Sequence, residues 1–463
     1  MHLLKEEHYG TVKVFFLSSA VWFVIGTIIG FIDAVHLVAP DLLGNISWLV
    51  FGRTRPMHTN VVIFGFIGTA LIGSAFYLVP TLLRTPLYSE RLGKLSLWFW
   101  NLSITAGTVT LSLGYSHGRE YAEWIWPVNI GVLLTFLLIF YNLFRTAGLR
   151  QEKTLYVSVW YIFAALIYFF LIYFFGNAVW SPSYGAITGL PDAVLAWFYG
   201  HGVVGLFLTP LALALAYYII PIVCRSPLYS HSLSLIGFWS ILVIYTHIGA
   251  HHLLQTPIPN WLKVLAITGS LGMIIPVMTV LINLWLTMRG RMGMIHADIG
   301  GRFVMTGLVW YLFTCIQGPL QSLPMVQRVT HLTNWVIAHA HMWVLGFSGT
   351  IALGGIYFIL PRITGRPIFN RRWADIQYWL VLIGMAGFFM VLTAAGLIQG
   401  NGWQNGLAVY KILPEIHIYM ILRASIGLLI FCGAALGLIN IYQSLYGVYG
   451  LEDLPFELQG KNK

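Results

Sequence analysis

The chain has very little charge. Only 9% of its 463 residues are Asp, Glu, Lys or Arg, while 58% are hydrophobic. Soluble domains carry about a quarter charged residues, so this is the composition of an integral membrane protein. Among the charged residues the acidic ones are fewer, 15 against 25 basic, for a net charge of +10. The basic residues are spread over loops rather than clustered, which argues against a nucleic-acid partner. Cysteine is almost absent, with Cys224, Cys315 and Cys432 each standing alone. This leaves no disulfide framework, no CxxCH haem-attachment motif and no clustered thiolates for a metal. Buried, inert thiols are the remaining reading. A polar domain, a low-complexity tract and an obvious short-period repeat are lacking as well.

Long apolar runs fill the chain instead. A membrane helix needs about 20 apolar residues, and twelve such segments are expected, at 14–36, 57–80, 94–115, 123–145, 154–175, 195–221, 232–252, 261–287, 302–320, 334–361, 374–398 and 419–447. The first has no small-residue cleavage site after it and is expected to be retained. The predicted fold is therefore an all-α integral membrane protein of twelve transmembrane helices, forming one domain over 1–463. An even count puts both termini on one side. That side would hold eighteen basic residues, Lys5, Lys461 and Lys463 among them, against seven on the other. The positive-inside rule makes it the cytoplasmic side.

Six histidines fall in or at the ends of these apolar segments, where polar side chains are costly and usually functional. They are His58, His201, the adjacent pair His251 and His252, and the alternate pair His339 and His341. With helix directions alternating, all six lie in the outer half of the membrane. His339 and His341 are roughly 200° apart on a helix, so one helix can offer a ligand on each of two opposite faces. His251 and His252, about 100° apart at a helix end, can converge on one metal with a third imidazole. Imidazole suits Cu, Fe or Zn, so the triad alone does not name the metal.

The segments GRTRPMHTN (52–60), YGHGVVG (199–205), YTHIGAHH (245–252) and AHAHMWVLGF (338–347) resemble subunit I of the haem–copper oxygen reductases. The C family, the cbb3-type cytochrome c oxidases, fits best, over essentially the whole chain and with the ligands in the same order. The resemblance implies two haems b and a copper B. His58 and His341 would be the axial ligands of a low-spin haem b that relays electrons. His339 would be the proximal ligand of a high-spin haem b, and His201, His251 and His252 would hold the copper facing it. Dioxygen would be reduced to water between iron and copper. The resemblance also implies that Tyr245 is covalently linked to His201 and supplies an electron and a proton. It implies a bacterial inner-membrane location and a hetero-oligomer in which c-type cytochrome subunits deliver electrons, since this chain has no attached haem c of its own. A quinol donor is the other option.

Protons would come from the cytoplasmic side, and Ser234, Asn283 and Tyr311 resemble the family's channel residues. Ser234 lies eleven residues, about three turns, before Tyr245 and so on the same face. Haem propionates need cationic partners near the outer surface. Arg53, Arg55, Arg423 and His331 are the candidates. Glu120 and Glu123, in the run GREYAEW, resemble a calcium-binding segment, and hard oxygen ligands suit calcium. Two positions depart from the family: a glutamate before Gly-Pro is Gln317 here, and an acidic residue is Asn334. Both changes remove negative charge. Two alternatives remain open, a nitric oxide reductase with non-haem iron in place of copper, and a haem-free proton-coupled transporter. The transporter leaves the histidine spacing unexplained.

Overall fold

The computed structural model describes residues 7–178 and 187–447. Lys5, Lys461 and Lys463 of the orientation argument lie outside the described residues. Among the described residues every regular element is helical. Twelve rods follow one another: α1 Gly10–Val38, α2 Phe51–Leu83, α3 Glu90–Ser112, α4 Trp126–Gly148, α5 Val157–Asn177, α6 Leu190–Cys224, α7 His231–Ile244, α8 Asn260–Met288, α9 Ile299–Gln321, α10 Asn334–Thr364, α11 Arg371–Gln404 and α12 Val409–Tyr446.

Ten of the rods are long and apolar enough to cross a membrane. The other two are α3, which opens on Glu90, Arg91 and Lys94 and carries several Ser, Thr and Asn, and α7, which is short. The segment expected to run as one helix to His252 does not. Its helix stops at Ile244, with Tyr245 as its cap, and after a turn Ile248–Leu253 winds as a 3-10 helix. At Gly249 the Trp197 carbonyl of α6 comes so close that an added Cβ would lie 2.5 Å from its oxygen. Only a residue without a side chain lets the two backbones meet there.

Three rods form the inside of the bundle. The apolar windows of α2, α6 and α10 are each 94% buried, against 33–61% for the other membrane-length helices. They are apolar on every face, the pattern of a helix surrounded by others. Each contains a π-helical stretch, at Val61–Gly68, Val203–Leu208 and Met342–Gly349. Such stretches are rare and frequently mark functional sites. Each follows within a few residues of a histidine singled out above: His58, His201, and His339 with His341.

A threefold repeat follows these central helices, one that the sequence pattern alone does not bring out. Each ends in a residue with positive φ, Arg84, Arg225 or Gly365. The runs RTPLYS (84–89), RSPLYS (225–230) and GRPIFN (365–370) then turn the chain. The last residue caps the next helix with its side chain, Ser89 to Leu92 N, Ser230 to Leu233 N and Asn370 to Trp373 N. Its backbone is clasped by an asparagine from the helix after that. Asn142 clasps Ser89, Asn283 clasps Ser230 and Asn440 clasps Asn370, each amide accepting from the backbone N–H and donating to the backbone C=O. Asn283, a channel candidate by resemblance, is thus engaged as a backbone clasp just as Asn142 and Asn440 are.

Candidate functional site

The three central helices deliver their histidines to one end of the bundle, and the 3-10 segment adds two more. His201, His251 and His252 each offer a ring nitrogen, and the three nitrogens lie within 4.8 Å of one another. Among the described residues this is the only group of three or more metal-ligating side chains. The 3-10 winding turns the adjacent pair so that their rings sit 4.5 Å apart and converge on His201. Trp197, one turn before His201 on α6, stacks on His252 at 3.8 Å.

Tautomers follow from the partners. The Ser270 hydroxyl donates to the Ala266 carbonyl, so it accepts from His251 Nδ1–H at 2.7 Å. That leaves His251 Nε2 with a free lone pair, buried and without a hydrogen-bond partner. His201 Nε2 is buried and unpartnered too. Buried polar atoms are rarely left unpaired; His251 Nε2 fits a metal ligand, whereas in His201 it is Nδ1 that faces the His252 ring, 3.3 Å from its Nε2.

Tyr245 lies beside the triad, its ring nearly parallel to that of His201 with centroids 4.5 Å apart. Its hydroxyl is buried without a partner. Space for the ring comes from Gly205, four residues after His201 on α6, where an added Cβ would fall 1.8 Å from a Tyr245 ring carbon.

His339 and His341 do point to different sides of α10. His341 faces His58 of α2, the rings nearly parallel with centroids 6.2 Å apart. Two metal–nitrogen bonds of about 2 Å plus the half-ring on either side add up to about 6 Å, so this spacing fits one metal between two imidazoles. His58 Nδ1–H donates to the Gly26 carbonyl and His341 Nδ1–H to the Ile337 carbonyl, at 2.8 and 2.9 Å. Nε2 is thereby the nitrogen left free to ligate in both. His339 leans toward α9, where its Nδ1 meets Gln317 Oε1 at 3.3 Å. Asn334, the other departure, opens α10 and gives both its backbone N–H and its side-chain amide to Gln399 Oε1. A carboxylate there would set an acceptor against that oxygen.

The propionate candidates separate into two groups. Arg53 donates to the Ser112 carbonyl, and Arg55 pairs with Glu120. Arg423, on α12, is only 8% exposed and leaves Nε and one terminal nitrogen unpartnered. It lies over Phe388, which packs on His341. His331 also has a buried, unpartnered Nδ1. An unpaired buried guanidinium beside two facing imidazoles fits an anionic group in that pocket. Glu123 accepts from Asn60 and from the Tyr121 backbone, both at 3.0 Å, while Glu120 faces Arg55. Burial pushes the Glu123 carboxyl above the usual range, against the bond from Asn60.

On the inner side of Tyr245, the Tyr311, Tyr217 and Tyr161 hydroxyls are buried without partners, and Ser234 is fully buried. Tyr156 donates to the Tyr217 carbonyl at 2.7 Å. Sequence reasoning named Ser234 and Tyr311 here but missed Tyr217 and Tyr161, which stack on each other 5.8 Å apart. Ser270, Gly205 and Trp197 were missed as well. A serine in an apolar helix and a glycine one turn from a ligand were the available signals.

A family model described as cytochrome C and quinol oxidase polypeptide I matches residues 10–429. The chain belongs to that family. It is similar to the cbb3-type cytochrome c oxidase subunit CcoN1 of Stutzerimonas stutzeri, 30% identical over 94% of this chain and 95% of that one. It is also similar to a nitric oxide reductase chain of the same organism, 26% identical over 86% and 85%. Its fold matches a solved heme-copper terminal oxidase dimer with a TM-score of 0.80, at 17% identity and covering 95% of this chain and 84% of that one. The protein is thus a multi-pass membrane oxidoreductase of the cytochrome c oxidase kind, a family whose members use haem and copper.

If Ser270 orients His251, Ser270→Ala should weaken metal retention by about 10–100-fold, the usual cost of losing a ligand's orienting partner. Metal content after graded chelator dialysis checks this. Unchanged retention would leave Ser270 only a packing role.

Proposed function

We propose that this chain is the catalytic subunit of a terminal respiratory oxidase that reduces dioxygen to water. The observation carrying the reading is the buried triad His201, His251 and His252 with Tyr245 parallel to His201. His58 and His341 would hold a low-spin haem b, His339 a high-spin haem b, and the triad a copper. When bound, these groups supply the electrons and the place where dioxygen is reduced. The chain's own part is to orient the ligands, keep water out and hold a proton at Tyr245 Oη.

Each Nδ1 partner described above is a neutral acceptor, which fixes the tautomer without adding charge. The Tyr245 phenol would supply one proton and one electron, to be restored by a proton from the inner side and an electron from the donor subunits. Ser234, Tyr217, Tyr161 and Tyr311 are the residues we assign to that supply. The unpartnered His201 Nε2 is the nitrogen suited to a Tyr245 linkage. Arg423 and His331 would meet haem propionates, and Arg55 would reach them only while shared with Glu120. Partner subunits carrying c-type haem would deliver electrons, in a bacterial inner membrane.

A nitric oxide reductase with non-haem iron is the second reading, and relatives of that kind exist. Oxygen ligands suit a hard iron site. The buried carboxylates among the described residues are Asp33 and Glu123, and neither is in the triad. That favours copper. The test is gas consumption by the purified complex with a reduced c-type cytochrome. Oxygen uptake well above nitric oxide uptake is expected. Nitric oxide uptake alone would overturn the proposal.

A further inference from the structure

Asp33 is an acid inside an apolar run, near the outer end of α1, and only 3% exposed. Charge in such a place is expensive and usually functional. Its one hydrogen bond is from the Thr54 hydroxyl of α2, at 2.5 Å. A single neutral donor is little compensation for a buried anion. The charged and titratable groups that reach it are Arg423 of α12, His36 on its own helix and Arg55 of α2, which is already paired with Glu120. α3 also packs on α1, but its Glu90 sits at the opposite end, bound to the backbone of Tyr9 and Thr11.

The position relative to the His58–His341 pair is close. On α1, one turn before Asp33, Gly30 lies against the His58 ring, where an added Cβ would fall 2.6 Å from Cε1. Arg423, one of the charges that reach Asp33, is the same guanidinium that lies over Phe388 beside His341. One turn outward from Asp33, His36 bonds the Leu49 carbonyl of the outer loop at 2.7 Å. Asp33 thus lies between the haem pocket and the outer surface. Its own charge is balanced by no dedicated partner.

We propose that Asp33 is a proton-binding site coupled to the electron on the low-spin haem. Its carboxylate takes up one proton from the outer side as the iron gains one electron, and returns it when the iron is reoxidised. The added negative charge in a poorly solvated pocket favours the neutral acid, and its loss favours the carboxylate beside Arg423. The inference rests on His58 and His341 holding a haem.

The test is a spectroscopic redox titration of the low-spin haem in the purified complex across pH. In the wild type the midpoint potential should fall with rising pH, by up to about 59 mV for each tenfold change in proton activity. Asp33→Asn should flatten that slope and remove a protonated-carboxyl band from the redox-difference infrared spectrum. Asp33→Glu should restore both. An Asp33→Asn complex that keeps the wild-type slope, for instance through propionates alone, would overturn the proposal. If Asp33→Asn fails to assemble its haem, Thr54→Val carries the test. Loss of its hydroxyl donor must move the pH at which the slope begins, and an unmoved profile would overturn the proposal equally. Absence of any bis-histidine haem b spectrum in the wild type would instead refute the proposed function.

Discussion

Tyr245→Phe lowers steady-state oxygen consumption by at least about 100-fold, within the range a positioned proton donor contributes, while both haems and the triad's metal remain bound. The phenol oxygen makes no hydrogen bond in the structure, so its removal takes away no structural contact. Phenylalanine keeps the ring beside His201 and the contact with Gly205. Only the dissociable hydrogen and the redox-active oxygen are lost. Turnover measured with an oxygen electrode, alongside haem and metal content, checks the result. Full turnover with intact haems would remove Tyr245 from the chemistry.

Gly205→Ala should have an effect of similar size by a different route. Its added methyl would fall 1.8 Å from the Tyr245 ring, well inside van der Waals contact. Overpacking of a close-fitted core costs about 1–3 kcal/mol when the neighbours can shift. Here the neighbour is a rigid ring, fully enclosed by α6, α7 and Trp343. Tyr245 must therefore move away from His201, and oxygen consumption should fall about 100-fold or the complex should fail to assemble. Haem spectra and turnover separate these outcomes. A variant with wild-type turnover would show that the contact between the two rings is dispensable.

Much of this site is legible in the sequence because membrane helices make polar residues conspicuous. Six imidazoles at one depth, and a two-residue spacing that sends His339 and His341 to different faces, follow from helical period and alternating direction alone. The helical fold is legible for the same reason. What was not legible depends on close packing between distant elements. Neither the break of α7 at Ile244 nor the approach of Trp197 to Gly249 is announced by a local pattern. The partners of the arginines are likewise a tertiary matter. Arg53, Arg55 and Arg423 look alike in the sequence, yet one bonds a carbonyl, one pairs with Glu120, and one is left with unpartnered nitrogens beside His341. The RTPLYS, RSPLYS and GRPIFN runs were visible but too divergent to stand out before the three clasps aligned them. Their asparagines show that Asn283 also holds the scaffold, a part that resemblance to a channel does not announce.

The most direct measurement is the iron, copper and haem content of the purified complex, with covalently attached haem c counted separately. The account predicts two non-covalent haems b and one copper for each copy of this chain, and loss of the copper with retention of both haems in His252→Ala. Two haems b with a non-haem iron and no copper, or no haem at all, would contradict it.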